Sequence, residues 1–346
     1  MLLCYITFNA GLFISAMMLY TKIDIPRSPV RFAYEHRTML FGSCFAESIG
    51  KRLSGSLFRA EINPFGTLYN PASVAMAIER LIEGMTFTSD DLFQHEGLYH
   101  SFFHHSSFSS VSADECLQQI NERLQQAAVM LSSADRIIIT WGTAYVYRLK
   151  GTGQTVANCH KLPEKYFERA RLSVEEIVSL WEPLIAKLQK KHPSLQWLFT
   201  VSPIRHWRDG AHENQLSKAT LHLAVEALQE RFPVQTAYFP AYELMMDELR
   251  DYRFYADDMC HPSLTAIQYI WERFVEVCMD EPARCLLKEA EEIRKALDHR
   301  PFNPQSEAYR RFLTQTLLKI DRFNEKMPYL CFKQERKDIE RLQTEQ

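Results

Sequence analysis

Five short apolar runs rich in β-branched and aromatic residues, at positions 38–41, 57–62, 136–141, 196–201 and 234–239, alternate with helical patterns at 46–53, 71–82, 113–131, 174–191 and 215–231. Runs of this kind lack a polar face, so each strand must be covered on both sides, and a strand–helix–strand order joins parallel neighbours by crossovers. The pattern predicts an α/β domain built on a five-stranded parallel sheet. A chain of 346 residues, 46% hydrophobic and 24% charged, has core enough for one large domain with an appendage or for two domains. Between the third and fourth runs, residues 145–156 alternate and turn at Gly151 and Gly153, which reads as a hairpin inserted after the third strand. Residues 86–112, rich in Ser, His and Phe, read as an irregular excursion over the sheet.

Charge and cysteine usage narrow the function. A formal net charge of -3 and the absence of a lysine-rich stripe give no field for nucleic acid. The eight cysteines are scattered, with no CxxC pair, which fits a reducing compartment better than a disulfide scaffold. Residues 1–20 are uncharged and mostly apolar, yet no basic residue precedes them as in a cleavable signal. A translation start at Met17 or Met18, a membrane anchor and a buried core segment all fit this stretch; a cytoplasmic location is the expectation, with a membrane partner only if the segment is a true anchor. Beyond Glu272 the chain reads as helical and charged through 283–297, 306–323 and 333–346, the last polar all round. We therefore divide the chain into the apolar segment 1–20, a main domain 21–282 and a helical C-terminal appendage 283–346.

Two short stretches carry chemistry. In Phe41-Gly42-Ser43-Cys44-Phe45-Ala46 the first strand breaks at a glycine into two nucleophile-type side chains at the start of a helix, whose N-terminus favours anionic intermediates. In Asp257-Asp258-Met259-Cys260-His261-Pro262, after the fifth strand, Asp258 stands three residues before His261 and is able to orient its imidazole as a base. Helix capping by Asp258 or Ser263 is the competing reading of that loop. Ligands of such sheets bind beyond the carboxyl ends of the strands, which is where both stretches fall. The loops at Asn63, Gly142 and Ser202 should line the same edge. Arg205, His206, Arg208, His212 and Lys218 concentrate polar and cationic groups there, suited to a substrate carboxylate or phosphate. A Cys/His set of Cys44, Cys159, His160, Cys260 and His261 at this edge leaves a zinc site as an alternative, although its spacing has no metal signature. His95, His100, His104 and His105 read as partly exposed loop residues, since carboxylate partners are sparse.

The run Gly42-Ser43-Cys44-Phe45-Ala46, with Asn63-Pro64-Phe65-Gly66, Trp141-Gly142-Thr143-Ala144, Ser202-Pro203-Ile204-Arg205-His206 and the Asp258, His261 pair, resembles the GSCFA family, which is similar to the SGNH (GDSL-like) hydrolases. The resemblance implies a flavodoxin-like three-layer sandwich and an ester or acyl hydrolase, or acyltransferase, that needs no cofactor and takes a small-molecule or glycan acyl ester. Carried across residue by residue, it places Cys44 at the nucleophile, with Ser43 as the other candidate, and His261 and Asp258 as base and orienting acid. It places Gly66 and Gly142 at the oxyanion hole. The asparagine expected after the third strand is absent, and Asn158 is the substitute nearest to hand; Asn63, His160, Arg205 and His206 are candidates for substrate binding. A non-catalytic binding protein on the same fold is the remaining alternative. Oligomeric state is left open.

Overall fold

The computed structural model describes residues 20–328 and 332–344. Apart from Tyr20, the apolar N-terminal segment lies outside them, as do Cys4 and Cys331. The chain runs through β1 (Arg37–Gly42), α1 (Cys44–Gly55), β2 (Arg59–Ile62), α2 (Pro71–Glu83), β3 (Leu92–His95), β4 (Leu98–Ser101), α3 (Ala113–Leu131) and β5 (Arg136–Trp141). It continues through β6 (Tyr145–Leu149), β7 (Thr155–Val156), β8 (Phe167–Arg171), α4 (Val174–Lys191), β9 (Gln196–Val201), α5 (Gly210–Arg231) and β10 (Thr236–Phe239). A single turn α6 (Ala241–Glu243) leads to α7 (Leu264–Cys278), α8 (Glu281–Leu297), α9 (Glu307–Lys326) and α10 (Lys333–Thr344).

Strands β10, β9, β5, β1 and β2 form, in that order, one parallel sheet. Side chains alternate across it, so each strand feeds two cores. Met39, Phe41, Ile137, Ile139, Trp197 and Phe199 pack on one face with the buried sides of α2, α3, α4 and α5. Leu40, Ile138 and Leu198 face the other way, onto Phe45 and Ile49 of α1 and Ile270 and Phe274 of α7. This is the three-layer α/β arrangement expected. The second core also takes in Leu287, Ala290 and Ile293 of α8, Leu313, Ile320 and Phe323 of α9 and Ile339 of α10. The C-terminal helices thus share a core with the sheet. α10 is not polar all round, because Ile339 is 3% exposed.

The inserted hairpin is larger than expected: β6 pairs with β7 on one side and with β8 on the other, giving a three-stranded antiparallel sheet. The 86–112 excursion contains the β3–β4 hairpin, and two of its histidines are buried, not loop-exposed. His104 is 2% exposed, stacked on Phe65 and pushed down to about 3 by burial, so it stays neutral. Strand β2 starts two residues later than its pattern, after Leu57 takes a positive φ, and β10 starts at Thr236, beyond the exposed Val234. Among the described residues no helix is long and apolar enough to cross a membrane.

The order of the strands reverses between β1 and β5, where the chain first steps outward to β2 and then returns. Loops leaving the two neighbouring strands diverge there and open a crevice at their carboxyl ends. Gly42 closes β1 at this point with φ +138°, and a Cβ on it would lie 2.1 Å from the Thr140 carbonyl oxygen. Gly42→Ala is expected to cost at least about 3 kcal/mol of unfolding free energy, from a disallowed backbone and an unavoidable overlap. Urea unfolding measures it, and an unchanged midpoint would show that the turn relaxes freely.

Candidate active site

The turn after β1 is held from several sides. Gly42 N–H donates to Asn63 Oδ1 at 2.9 Å, Ser43 N–H to Thr140 O at 3.2 Å, and Leu68 N–H to Gly42 O at 3.0 Å. Ser43 is the N-cap of α1: its Oγ accepts from Phe45 N–H at 3.3 Å and bonds to Ser202 Oγ at 3.0 Å. At 1% exposure it is sealed inside the turn. Cys44 opens the helix, is half-buried, and has its Sγ 3.7 Å from the Tyr69 hydroxyl. Burial and the neighbouring thiol raise the Tyr69 phenol above its ordinary range, so it remains a neutral donor.

Across the edge, the loop before α7 holds the second pair. Asp258 Oδ1 accepts the backbone N–H groups of Cys260 and His261, both at 2.9 Å, and Oδ2 meets His261 Nδ1 at 2.5 Å. These bonds hold the Asp258 carboxyl down at about 2. The carboxylate is therefore ionised at working pH and can only accept. Nδ1 must donate, and in the neutral ring the lone pair is on Nε2. Among the described residues Nε2 has no hydrogen-bond partner, and neither Ser43 nor Cys44 bonds to His261. Cys260 Sγ donates to Arg205 O at 2.7 Å and ties this loop to the one after β9.

A cleft of about 410 Å³ lies at this edge, bordered by Tyr69, Asn70, Arg169, Arg205, His206 and His261. Tyr69 connects it to Cys44. The antiparallel sheet contributes Tyr145, Tyr147 and Arg169 to one wall, so the insertion does shape the cleft. Arg169 pairs with Asp209 and stacks over Tyr145, while Arg205 has no carboxylate partner among the described residues and sits 5.8 Å from the Trp207 ring. Burial and Lys218 push His206 down to about 4, leaving a neutral imidazole in the cleft. A second cavity, of about 460 Å³ near Glu248 and Tyr269, has no cysteine, serine or histidine among its described lining residues.

Several expected roles change. Gly66 N–H donates to Asn63 O at 2.7 Å and Gly142 N–H to Tyr69 O at 2.7 Å, so neither amide is free for an oxyanion. Gly66 is needed for fit instead, since a Cβ there would lie 2.3 Å from His105 Cβ at φ +76°. Asn158 Oδ1 accepts from His160 N–H and caps its own turn. His160 bonds to Ser101 O at 2.8 Å, is 6% exposed and is pushed down to about 4 by burial; it belongs to the wall's interior, not to the cleft surface. Asn63 positions Gly42. Cys44, Cys159, His160, Cys260 and His261 do not converge: among the described residues no group of three or more His, Cys, Asp or Glu is placed to hold a metal.

Two residues escaped the sequence reading. Asn70 lies in the cleft lining and caps α2 with its Oδ1 accepting from Ser73 N–H at 2.8 Å, and its Nδ2 has no hydrogen-bond partner among the described residues. Its signal was an asparagine directly before Pro71, a helix-start pair. Tyr69 was given no role by the sequence pattern. Lys218, expected among the cationic groups open to substrate at this edge, is buried instead, because it falls on the stripe Asn214, Ser217, Leu221, Val225, Leu228 that α5 turns inward.

Among solved structures the chain is similar to a candidate platelet activating factor from Streptococcus pneumonia, at 13% identity over 70% of this chain and 83% of that one, with a TM-score of 0.36. It is also similar to an acetyl xylan esterase from the rumen bacterium Butyrivibrio proteoclasticus, at 11% identity and a TM-score of 0.36 over 71% of this chain. It spans 64% of that esterase, less than two thirds of its length. No curated protein matches. Residues 290–344 match the GSCFA domain protein, C-terminal domain, and residues 37–274 match the GSCFA family itself. As that second match spans more than half of the sequence and includes both the glycine turn and the Asp258–His261 loop, the chain belongs to the GSCFA family.

Proposed function

We propose that this protein cleaves or transfers acyl groups of ester substrates through a thioester on Cys44. The observation that carries this reading is the half-buried Cys44 at the first position of α1, joined through Tyr69 to a cleft on which His261 presents an imidazole oriented by Asp258. His261 Nε2 takes the thiol proton as Sγ attacks the acyl carbonyl carbon, and returns it to the departing alkoxide as the C–O bond breaks. Water, or an acceptor alcohol or amine, then gives its proton to His261 and attacks the thioester; the C–S bond breaks and His261 returns that proton to the departing Cys44 sulfur. The oxyanion is met by the Cys44 N–H, which as the first amide of α1 has no intrahelical acceptor, and by the Asn70 side-chain amide. Arg205, which meets no carboxylate among the described residues, offers its cation to a carboxylate or phosphate elsewhere on the substrate.

Treatment with a thiol-directed acyl probe and with a fluorophosphonate tests the reading. Peptide mass spectrometry is expected to find the acyl probe on Cys44 and no phosphonate on Ser43. Phosphonylated Ser43 would move the attack to the serine. A folded protein labelled at neither position would be a binding protein on this fold.

A further inference from the structure

Helix α5 buries Lys218 completely, and among the described residues no carboxylate meets its ammonium. Nζ donates instead to Gly142 O at 2.7 Å and Ser202 O at 2.9 Å, the first carbonyls beyond β5 and β9, and lies 5.1 Å from the Tyr242 ring. Ser202 is 0% exposed, and its hydroxyl is the partner of Ser43 Oγ in the turn that presents Cys44. A buried charge without a counter-ion opposes folding, and an apolar residue of similar length would be better tolerated there. Packing therefore gives no reason for a lysine, whereas the two carbonyls and the serine link behind them do.

We propose that Lys218 is a positioning residue of this site: its ammonium clamps the ends of β5 and β9 and, through Ser202, sets the turn that carries Cys44. His206, His222 and Cys260 are the titratable groups that face it, with Tyr242 across the ring contact. Burial pushes the two histidines down to about 4, so they add no charge near neutral pH. Lys218 itself is pushed down to about 7 by burial. A base depressed in the folded state is bound by fewer protons there than when unfolded, so its cost to stability is full below pH 7 and fades as pH rises toward the ordinary lysine range.

The experiment measures thermal stability and the rate at which iodoacetamide alkylates Cys44, followed by peptide mass spectrometry, in Lys218→Met, Ser202→Ala and the double variant. Alkylation does not require ester hydrolysis, so the clamp is tested even if the thioester chemistry proposed above fails. Lys218→Met is expected to melt no lower than the parent at pH 6.5, with its advantage shrinking by pH 9, while Cys44 alkylation slows about tenfold. Ser202→Ala should slow it comparably, and the double variant no further, because the two act in one chain. A lysine that only supports the fold would give the opposite: a lower melting point in Lys218→Met, an unchanged Cys44 rate in the folded protein, or additive effects in the double variant. Any of these overturns the proposal.

Discussion

Cys44→Ala is expected to lower the release of p-nitrophenol from p-nitrophenyl acetate by about 10³- to 10⁶-fold, the range seen when a nucleophile is removed from a triad that works as a unit. Ser43→Ala should behave differently. Its hydroxyl is occupied by Ser202 and by the Phe45 N–H, and its 1% exposure leaves no approach for a substrate. Loss of the N-cap should cost about 1 kcal/mol of stability, and loss of the Ser202 bond should slow the reaction by disturbing the turn, well short of the Cys44 effect. The contrast between the two alanine variants, each checked for folding by its melting point, reads out the register of the glycine turn. If Ser43→Ala abolished turnover while Cys44→Ala kept it, the thioester reading would fail. Asp258 bears on the pH dependence: a carboxyl held at about 2 stays ionised through the working range, so its protonation should not set the acid limb of the rate profile.

What could be read from the sequence followed the strength of the local signal. β5 and β9 fall where their patterns place them, because Ile137, Ile138 and Ile139, or Trp197, Leu198 and Phe199, leave no polar face. α3 and α4 do too, as Ser112 and Ser173 cap them in local hydrogen bonds that need no tertiary partner. The Asp258–His261 loop was legible for the same reason, since its bonds close within three residues; the GSCFA turn was legible from its residue types, although Asn63, Thr140 and Ser202, which hold it, lie far away in the chain. The oxyanion donors were not. Whether Gly142 has a free N–H depends on a carbonyl at Tyr69, far away in the chain, and whether Gly66 does depends on how the Asn63 turn closes. A glycine marks a backbone that needs freedom, not one with an amide to spare. The second core shows the other kind of miss: Ala283, Leu287, Ala290 and Ile293 repeat every three or four residues along α8, a buried stripe that the surrounding charges obscured.

On the proposed thioester mechanism, the loss of Gly66 and Gly142 as donors leaves the oxyanion to Asn70, and this has a large consequence. With Gly66 and Gly142 engaged and Asn158 spent on its own turn, Asn70 Nδ2 is a side-chain amide of the cleft lining without a hydrogen-bond partner among the described residues. Asn70 also caps α2, so alanine there would confuse a folding defect with a catalytic one. Serine separates them, because it caps a helix about as well as asparagine but has no amide to offer. Asn70→Ser is expected to lower kcat/KM by about 10²- to 10³-fold, the cost of one oxyanion donor, or about 3 to 4 kcal/mol of transition-state stabilisation. Its unfolding free energy should stay within about 0.5 kcal/mol of the parent. The loss should fall on kcat more than on KM, since the amide meets charge that develops only as the thiolate attacks. Unchanged turnover in Asn70→Ser would reduce Asn70 to a helix cap and leave the Cys44 N–H as the sole donor at the head of α1. A rise in KM with kcat intact would make Asn70 a ground-state contact to the substrate, with no share in the oxyanion.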